Sequence, residues 1–280
     1  MTLFTNIKSF DKSFLLKLWL SLILYQLSVC PVSAQKDTMD IKDYILIINT
    51  YTESFPWSNR LISTATNFVK DDPKLAVYTE HMNMIMIDND SILDQFKDSL
   101  FDRYGSHRPR MLLLLGNSSL ILKDDLRKMW GDIPMVLCAG KDYTGPEHHY
   151  LTKQPIPLSE RVPLAELSQS CNLTYLYANL YIHENVEMMF RTLPRMKRFI
   201  YVGDERFVNQ VNSQEIQEIL RTKHPDVHYT FLSSRDIKKT NQLIDSLNFV
   251  DPRTTGILFS SWFHKRPVSY THLRAHETLR

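Results

Sequence analysis

Two aromatic residues and a run of short polar side chains follow one apolar stretch, and together they could hold a small planar or polyhydroxylated molecule. Tyr51 and Trp57 offer stacking faces, while Thr52, Glu53 and Ser54 offer hydrogen-bonding groups between them. Packing of Trp57 between its helix and the sheet is the competing use of that indole. Asn117, Ser118 and Ser119 form a second polar cluster directly after an apolar run. Their backbone N–H groups suit a carboxylate or phosphate oxygen, and the same residues suit a helix N-cap. Asp204, Glu205 and Arg206 make a third cluster, and Ser260, Ser261 and Trp262 a fourth. Acids at a helix start are also natural without any ligand, because the helix dipole favours them.

Signatures of catalysis and of metal binding are missing from the sequence. It has no Gly-x-Ser-x-Gly elbow, no phosphate-binding Gly-rich loop with Lys, and no His-Glu-x-x-His helix. Glu147, His148 and His149 are contiguous, and neighbouring side chains rarely share a metal without ligands from elsewhere, so no metal is expected. Asp88-Asn89-Asp90 lacks the glycine and distal glutamate of an EF-hand loop and reads as a helix cap. No catalytic residue and no cofactor are therefore expected within this stretch.

The elements that position the polar clusters alternate in type. Tyr44 to Ile48 is a continuous apolar run, as in a strand covered on both faces. Leu61, Ile62, Ala65, Phe68 and Val69 fall on one helical face, and a short strand is predicted over 74–78. Asp90 can cap a helix with core residues Ile92, Leu93, Phe96, Leu100 and Phe101, closed by Arg103 and Gly105. A strand over 111–115, a helix over 120–130 and a strand over 135–139 complete a βαβαβαβ order, the grammar of an open parallel sheet. The pattern breaks over 140–163, read as an irregular cleft-side excursion. It resumes with a helix over 182–193, a strand over 199–202, a helix over 208–221, a strand over 227–232, a helix over 237–247 and a strand over 257–260. Gly116, Gly140 and Gly203 each follow a predicted strand, where a missing Cβ permits a sharp turn and close approach to a ligand.

Both ends of the chain read differently from the middle. Lys8, Lys12 and Lys17 flank or enter the apolar run from Phe14 to Val29, and Val32-Ser33-Ala34 suits signal-peptidase cleavage, so residues 1–34 read as an export signal. Val268 to Thr278 resembles the translation of a sequencing-library adapter, which makes 268–280 an expected artefact and leaves the protein a fragment ending near Pro267. Of 33 basic and 31 acidic residues, five and two respectively lie in these ends, so the remainder carries a formal charge of −1. That balance gives no electrostatic footprint for nucleic acid. Cys138 and Cys171 are the cysteines of the exported part, and their spacing leaves pairing open.

Several landmarks along the chain resemble the periplasmic ligand-sensing domains of membrane sensor (hybrid) histidine kinases, built like type I periplasmic binding proteins. Ile45 to Asn49 with Tyr51 and Pro56-Trp57 resembles that family's first strand and loop, and Tyr104 to Pro109 leading into Met111 to Asn117 resembles the approach to its third strand. Trp130 to Gly140 resembles its Ile-Pro-Val-Val-Phe…Gly strand, and Leu193 to Asp204 the opening of its second lobe. The sequence departs at Arg110 and at Gly116-Asn117, where the family often carries acidic residues.

The resemblance implies a two-lobed α/β fold of the type I periplasmic-binding-protein kind, each lobe a mostly parallel sheet flanked by helices, the second truncated. Boundaries are expected at 35–165 for the first lobe and 166–267 for the second. The implied activity is sensing of a small ligand (a sugar, nucleoside or amino-acid-like molecule) as the extracytoplasmic input of a two-component system, with a freestanding substrate-binding protein of an ABC importer as the alternative. Ligand contacts are expected from Tyr51, Thr52, Trp57, Asn117, Ser118, Asp204 and Ser260. Periplasmic location, membrane anchoring through a downstream segment and a homodimer complete the expectation.

Overall fold

The computed structural model describes residues 43–233 and 237–261. The expected signal, the adapter-like tail and Trp262 lie outside these residues.

Five strands form the first sheet: β1 (Asp43–Asn49), β2 (Leu75–His81), β3 (Met111–Leu115), β4 (Met135–Ala139) and β7 (Leu173–Tyr177), in the order β2-β1-β3-β4-β7 and parallel throughout. The continuous apolar runs are explained by what covers each face. Tyr44, Leu46 and Ile48, with Leu112, Leu114, Met135 and Leu137, join the main core, to which α2 (Asp90–Tyr104) adds Leu93 and Leu100 and α3 (Lys123–Trp130) adds Leu126 and Trp130. Ile47, Leu115 and Cys138 point the other way, where Leu61, Ile62 and Ala65 of α1 (Pro56–Val69) pack over them. Alternation along a strand thus feeds two apolar layers at once.

Phe68 was expected on the core face of α1 and is 89% exposed. The helix turns Leu61, Ile62, Ala65 and Val69 inward, and at 100° per residue Phe68 falls at the edge of that arc, about 20° beyond Leu61, where its ring is left in solvent. In α2 the cap is Asn89, whose side chain accepts from the Ile92 N–H at 3.1 Å, one residue before the expected Asp90. The predicted third helix opens as a 3-10 turn (Asn117–Leu122) before α3 begins.

The excursion after β4 contains a small antiparallel pair, β5 (Tyr143–Thr144) with β6 (Val162–Pro163), enclosing the six-residue α4 (Glu147–Thr152). Beyond it, α5 (Leu164–Ser170) and β7 return to the first sheet, and Leu164, Leu167, Cys171 and Leu173 are buried in its core. The expected boundary at 165/166 falls inside α5, and the first sheet continues to Tyr177. Cys138 and Cys171 are both buried free thiols, and Cys171 Sγ donates to the Leu167 carbonyl at 3.2 Å. Burial raises the pKa of both.

Residues 178–181 carry the chain across to the second sheet, and Tyr181 there has a left-handed φ of 50°. The second sheet consists of β8 (Arg198–Val202), β9 (His228–Leu232) and β10 (Thr255–Phe259), parallel in the order β10-β8-β9. Helices α6 (Ile182–Thr192) and α7 (Phe207–Lys223) supply Ile182, Val186, Ile216 and Leu220 to a separate core with Phe199 and Tyr201, and α8 (Ile237–Ser246) precedes β10. The α/β organisation in two mostly parallel sheets flanked by helices is the one read from the sequence. Among the described residues, no helix is long and apolar enough to cross a membrane.

A candidate ligand cleft at the strand ends

The in-register pairing of β1 with β3 and of β3 with β4 brings the three chain exits side by side. Asn49 lies opposite Leu115, and Leu115 opposite Cys138. The ladder extends one residue further: Thr50 N–H donates to the Leu115 carbonyl at 3.1 Å and Gly116 N–H to the Cys138 carbonyl at 2.9 Å. Gly116 has φ +94°, and a Cβ there would lie 2.4 Å from Thr50 Oγ1, so this turn requires glycine. Around Gly140 there is open space instead.

A cavity opens at these exits. Thr50, Tyr51, Asn117, Ser118, Gly140 and Lys141 line it from the strand ends, Met84, Tyr150 and Lys153 from the flanking loop and the α4 segment, and Arg206, Phe207 and Val208 from the start of α7 and the residue before it. About 580 Å³ of space lies between these atoms, including solvent at the mouth. The room open to the centre of a water-sized sphere is about 50 Å³, so the cleft is narrow in this arrangement. A smaller hollow beside it is lined by Thr50, Tyr51, Thr52, Asn83, Ile85 and Arg206.

Asn117 is the organiser of the first-sheet side. Its Nδ2 donates to the carbonyls of Lys141 (2.8 Å) and Tyr143 (2.9 Å), and its Oδ1 accepts from the N–H groups of Gly140 (2.9 Å) and Lys141 (3.2 Å). One amide thereby fixes the β4 exit loop with all its usual valences.

Aromatic rings build one wall. Tyr51 stacks on Phe55 with centroids 4.4 Å apart and meets the edge of Trp57 at 5.5 Å. Burial raises the Tyr51 pKa, opposed by the nearby Arg206 charge and a hydrogen bond with Thr50. Tyr150 forms part of the floor, its hydroxyl 3.0 Å from Thr144 Oγ1 and its ring 4.6 Å from that of Phe207. Lys153, in a left-handed conformation at φ 61°, is buried and donates to the carbonyls of Ile87 and Tyr150.

From the second sheet, Asp204 holds Arg206 in place. Asp204 is wholly buried, and its Oδ1 accepts from Arg206 Nε (2.8 Å), the Arg206 backbone N–H (3.0 Å) and Asn209 Nδ2 (2.9 Å). Arg206 also donates to Ser261 Oγ at 2.6 Å, and its guanidinium stands 4.9 Å from the Phe55 ring centre and 5.8 Å from that of Tyr51. Ser260 donates to Asn209 Oδ1 at 2.9 Å in the same network.

Of the residues expected to contact ligand, Tyr51, Asn117 and Ser118 line the main cavity and Thr52 lines the smaller hollow. Trp57, at 36% exposure, stands behind Tyr51, while Asp204 and Ser260 belong to the network that supports Arg206. The sequence reading did not single out Phe55, Met84, Lys141, Tyr150, Lys153 or Phe207. Phe55 sits in the same loop as Tyr51, four residues on, a spacing that lets the two rings stack. Residues of the 140–163 excursion carried no period to place them. His148 and His149 lie near Glu160, not in the cavity lining.

No family model matches the chain, and no curated protein matches it. Among solved structures, the chain is similar to a carbohydrate-transporter solute-binding protein from Agrobacterium radiobacter in complex with D-arabinose. That likeness has 11% identity over 78% of this chain and 67% of the other, with a TM-score of 0.45. It is also similar to a ligand-free, open substrate-binding protein with adhesive properties from Clostridium difficile, at 13% identity over 73% of this chain and 62% of the other, with a TM-score of 0.39. The chain spans about two thirds of the length of these neighbours.

Proposed function

We propose that this chain binds a small molecule between its two sheets, as the extracytoplasmic input portion of a two-component sensor histidine kinase on the type I periplasmic-binding-protein plan. The observation that carries the binding step is the two-sided lining of the cleft. Strand ends β1, β3 and β4 supply one wall, and Arg206, Phe207 and Val208 supply the other. A ligand touching both walls favours the arrangement in which they are close, and its differential affinity is what can shift the population.

Aromatic faces with short polar groups suit a sugar, a nucleoside or an amino-acid-like molecule, with Tyr51, Thr52, Asn117 and Ser118 as direct contacts. Trp57 backs Tyr51, and Asp204 and Ser260 act by holding Arg206.

Calorimetric and thermal-shift titration with pentoses, hexoses, nucleosides and amino acids tests the binding step. At least one class should raise the melting temperature, and Tyr51→Ala should weaken that ligand tenfold or more. Silence from every class, or a hit indifferent to Tyr51, would count against the cleft. The genomic reading frame past residue 267 tests the sensor role. A transmembrane segment, a His-containing dimerisation helix and an ATP-binding domain are expected, whereas a stop codon after a completed second sheet would assign the chain to an importer.

A further inference from the structure

Tyr150, at the floor of the cleft, belongs to the short helix α4, whose first turn also carries His148 and His149. Adjacent side chains on a helix usually diverge, but these two imidazole rings lie 4.0 Å apart with planes inclined by 38°. A third group arrives from elsewhere in the chain. Glu160, at the end of the 3-10 turn Leu158–Glu160, places Oε2 3.1 Å from His149 Nε2. One ligand atom from each of His148, His149 and Glu160 lies within 4.8 Å of the other two.

Three atoms so placed share a point no farther than about 2.8 Å from each. Zinc bonds to imidazole nitrogen and carboxylate oxygen run to roughly 2.0–2.2 Å, so coordination needs less than about 1 Å of closure. His148 and Glu160 are exposed and can supply that movement by side-chain rotation. His149 is 6% exposed, and the ring nitrogen it turns toward Glu160 is Nε2.

We propose that His148, His149 and Glu160 form a binding site for a borderline divalent cation of the Zn²⁺ class, with water in the remaining position. Two imidazoles and one carboxylate suit Zn²⁺, Ni²⁺ or Cu²⁺ and disfavour Mg²⁺, which takes oxygen ligands in octahedral array. The cation ties α4 to the 158–160 turn. Because Tyr150 and Lys153 extend from the same segment into the cleft, occupancy braces one wall of the pocket.

The test uses the full, untagged chain stripped with chelator and titrated separately with ZnCl₂ and MgCl₂ by calorimetry and thermal melting. The expected result is one Zn²⁺ bound per chain, a raised melting temperature, no response to Mg²⁺, and at least tenfold weaker Zn²⁺ binding in His148→Ala and in Glu160→Gln. Cobalt(II) loaded in place of zinc should give a visible d–d band that His148→Ala abolishes. Absence of Zn²⁺ binding by the parent chain, or equal binding by both variants, would overturn the site. His148 is exposed, so an unchanged apo melting curve for His148→Ala keeps the result readable even if Glu160→Gln loses stability.

Discussion

Lys141 Nζ lies 2.7 Å from the Glu215 carboxylate, joining the β4 exit loop of the first sheet to helix α7 of the second. The lysine side chain is 13% exposed and the glutamate 40%, and Asn117 fixes the lysine backbone through both its N–H and its carbonyl. The clasp is therefore anchored at its first-sheet end.

Glu215→Gln should change global stability by less than about 1 kcal/mol, as for other partly exposed ion pairs. Its effect should appear in the separation of the sheets. Small-angle scattering should report a larger radius of gyration for the variant, and any cleft ligand should bind more weakly because the closed arrangement is less populated. Unchanged scattering would show that the clasp does not hold the sheets together.

Asn117→Ala removes the acceptor for two backbone N–H groups and the donor for two carbonyls. We expect a loss of about 2–4 kcal/mol in urea denaturation, from buried groups left without partners. Ser118→Ala, one residue along the same turn, should stay within about 0.5 kcal/mol and report on ligand affinity alone.

The strand-end glycines should separate in the same way. Gly116→Ala forces a positive φ on an L residue and drives a methyl into Thr50, so it should destabilise by about 1–3 kcal/mol. Gly140→Ala meets open space and should leave the melting temperature nearly unchanged while reducing room for ligand. Equal destabilisation by both would contradict the geometry.

Arg206→Leu withdraws the cation from the fully buried Asp204, and breaking such a pair from one side costs about 3–5 kcal/mol. Chemical denaturation of this variant should show a loss of that order. Asp204→Asn combined with Arg206→Leu should recover part of it, because the residual buried charge is gone.

Alkaline pH should destabilise the chain through its tyrosines. Burial pushes the Tyr44 phenol up to about 12, with Tyr78 adding to the shift, and burial also raises Tyr104, Tyr150 and Tyr229. The unfolded chain ionises these groups near pH 10 while the native state keeps its protons. Their contribution is therefore complete below pH 10 and is lost as pH rises through 12. Melting followed by circular dichroism between pH 8 and 11.5 should fall most steeply above 10, and Tyr44→Phe should flatten that fall.

The sequence exposed most where burial alone decides structure. Met111 to Leu115 and Met135 to Ala139 are apolar on both faces, and their strands were legible to the residue. Leu173 to Tyr177 escaped because it is an edge strand, half exposed, whose Thr174 and tyrosines carry no continuous apolar signal. That omission also displaced the expected boundary between the halves. In the cleft, Tyr51 and Asn117 were visible as polar or aromatic residues just past strands. Lys141, Tyr150 and Phe207 were not, because their meeting depends on how the second sheet is brought to the first, a relationship without local periodicity. Asp204 drew attention as an acid at a helix start, while its consequence, a guanidinium held over Phe55, is set by tertiary contacts.

Among the described residues the chain passes between the sheets once, through 178–181. Ala178 N–H is pinned to the Ala139 carbonyl at 2.8 Å, and Tyr181 N–H is held by Asn179 Oδ1 at 2.9 Å. Such a segment works as an axle more than as a tether. The angle between the halves is then set by a few backbone torsions, and a molecule gripping both walls works against those torsions and with the Lys141–Glu215 pair, leaving both sheets intact. The energy needed to change posture is thereby kept well below that needed to unfold either half.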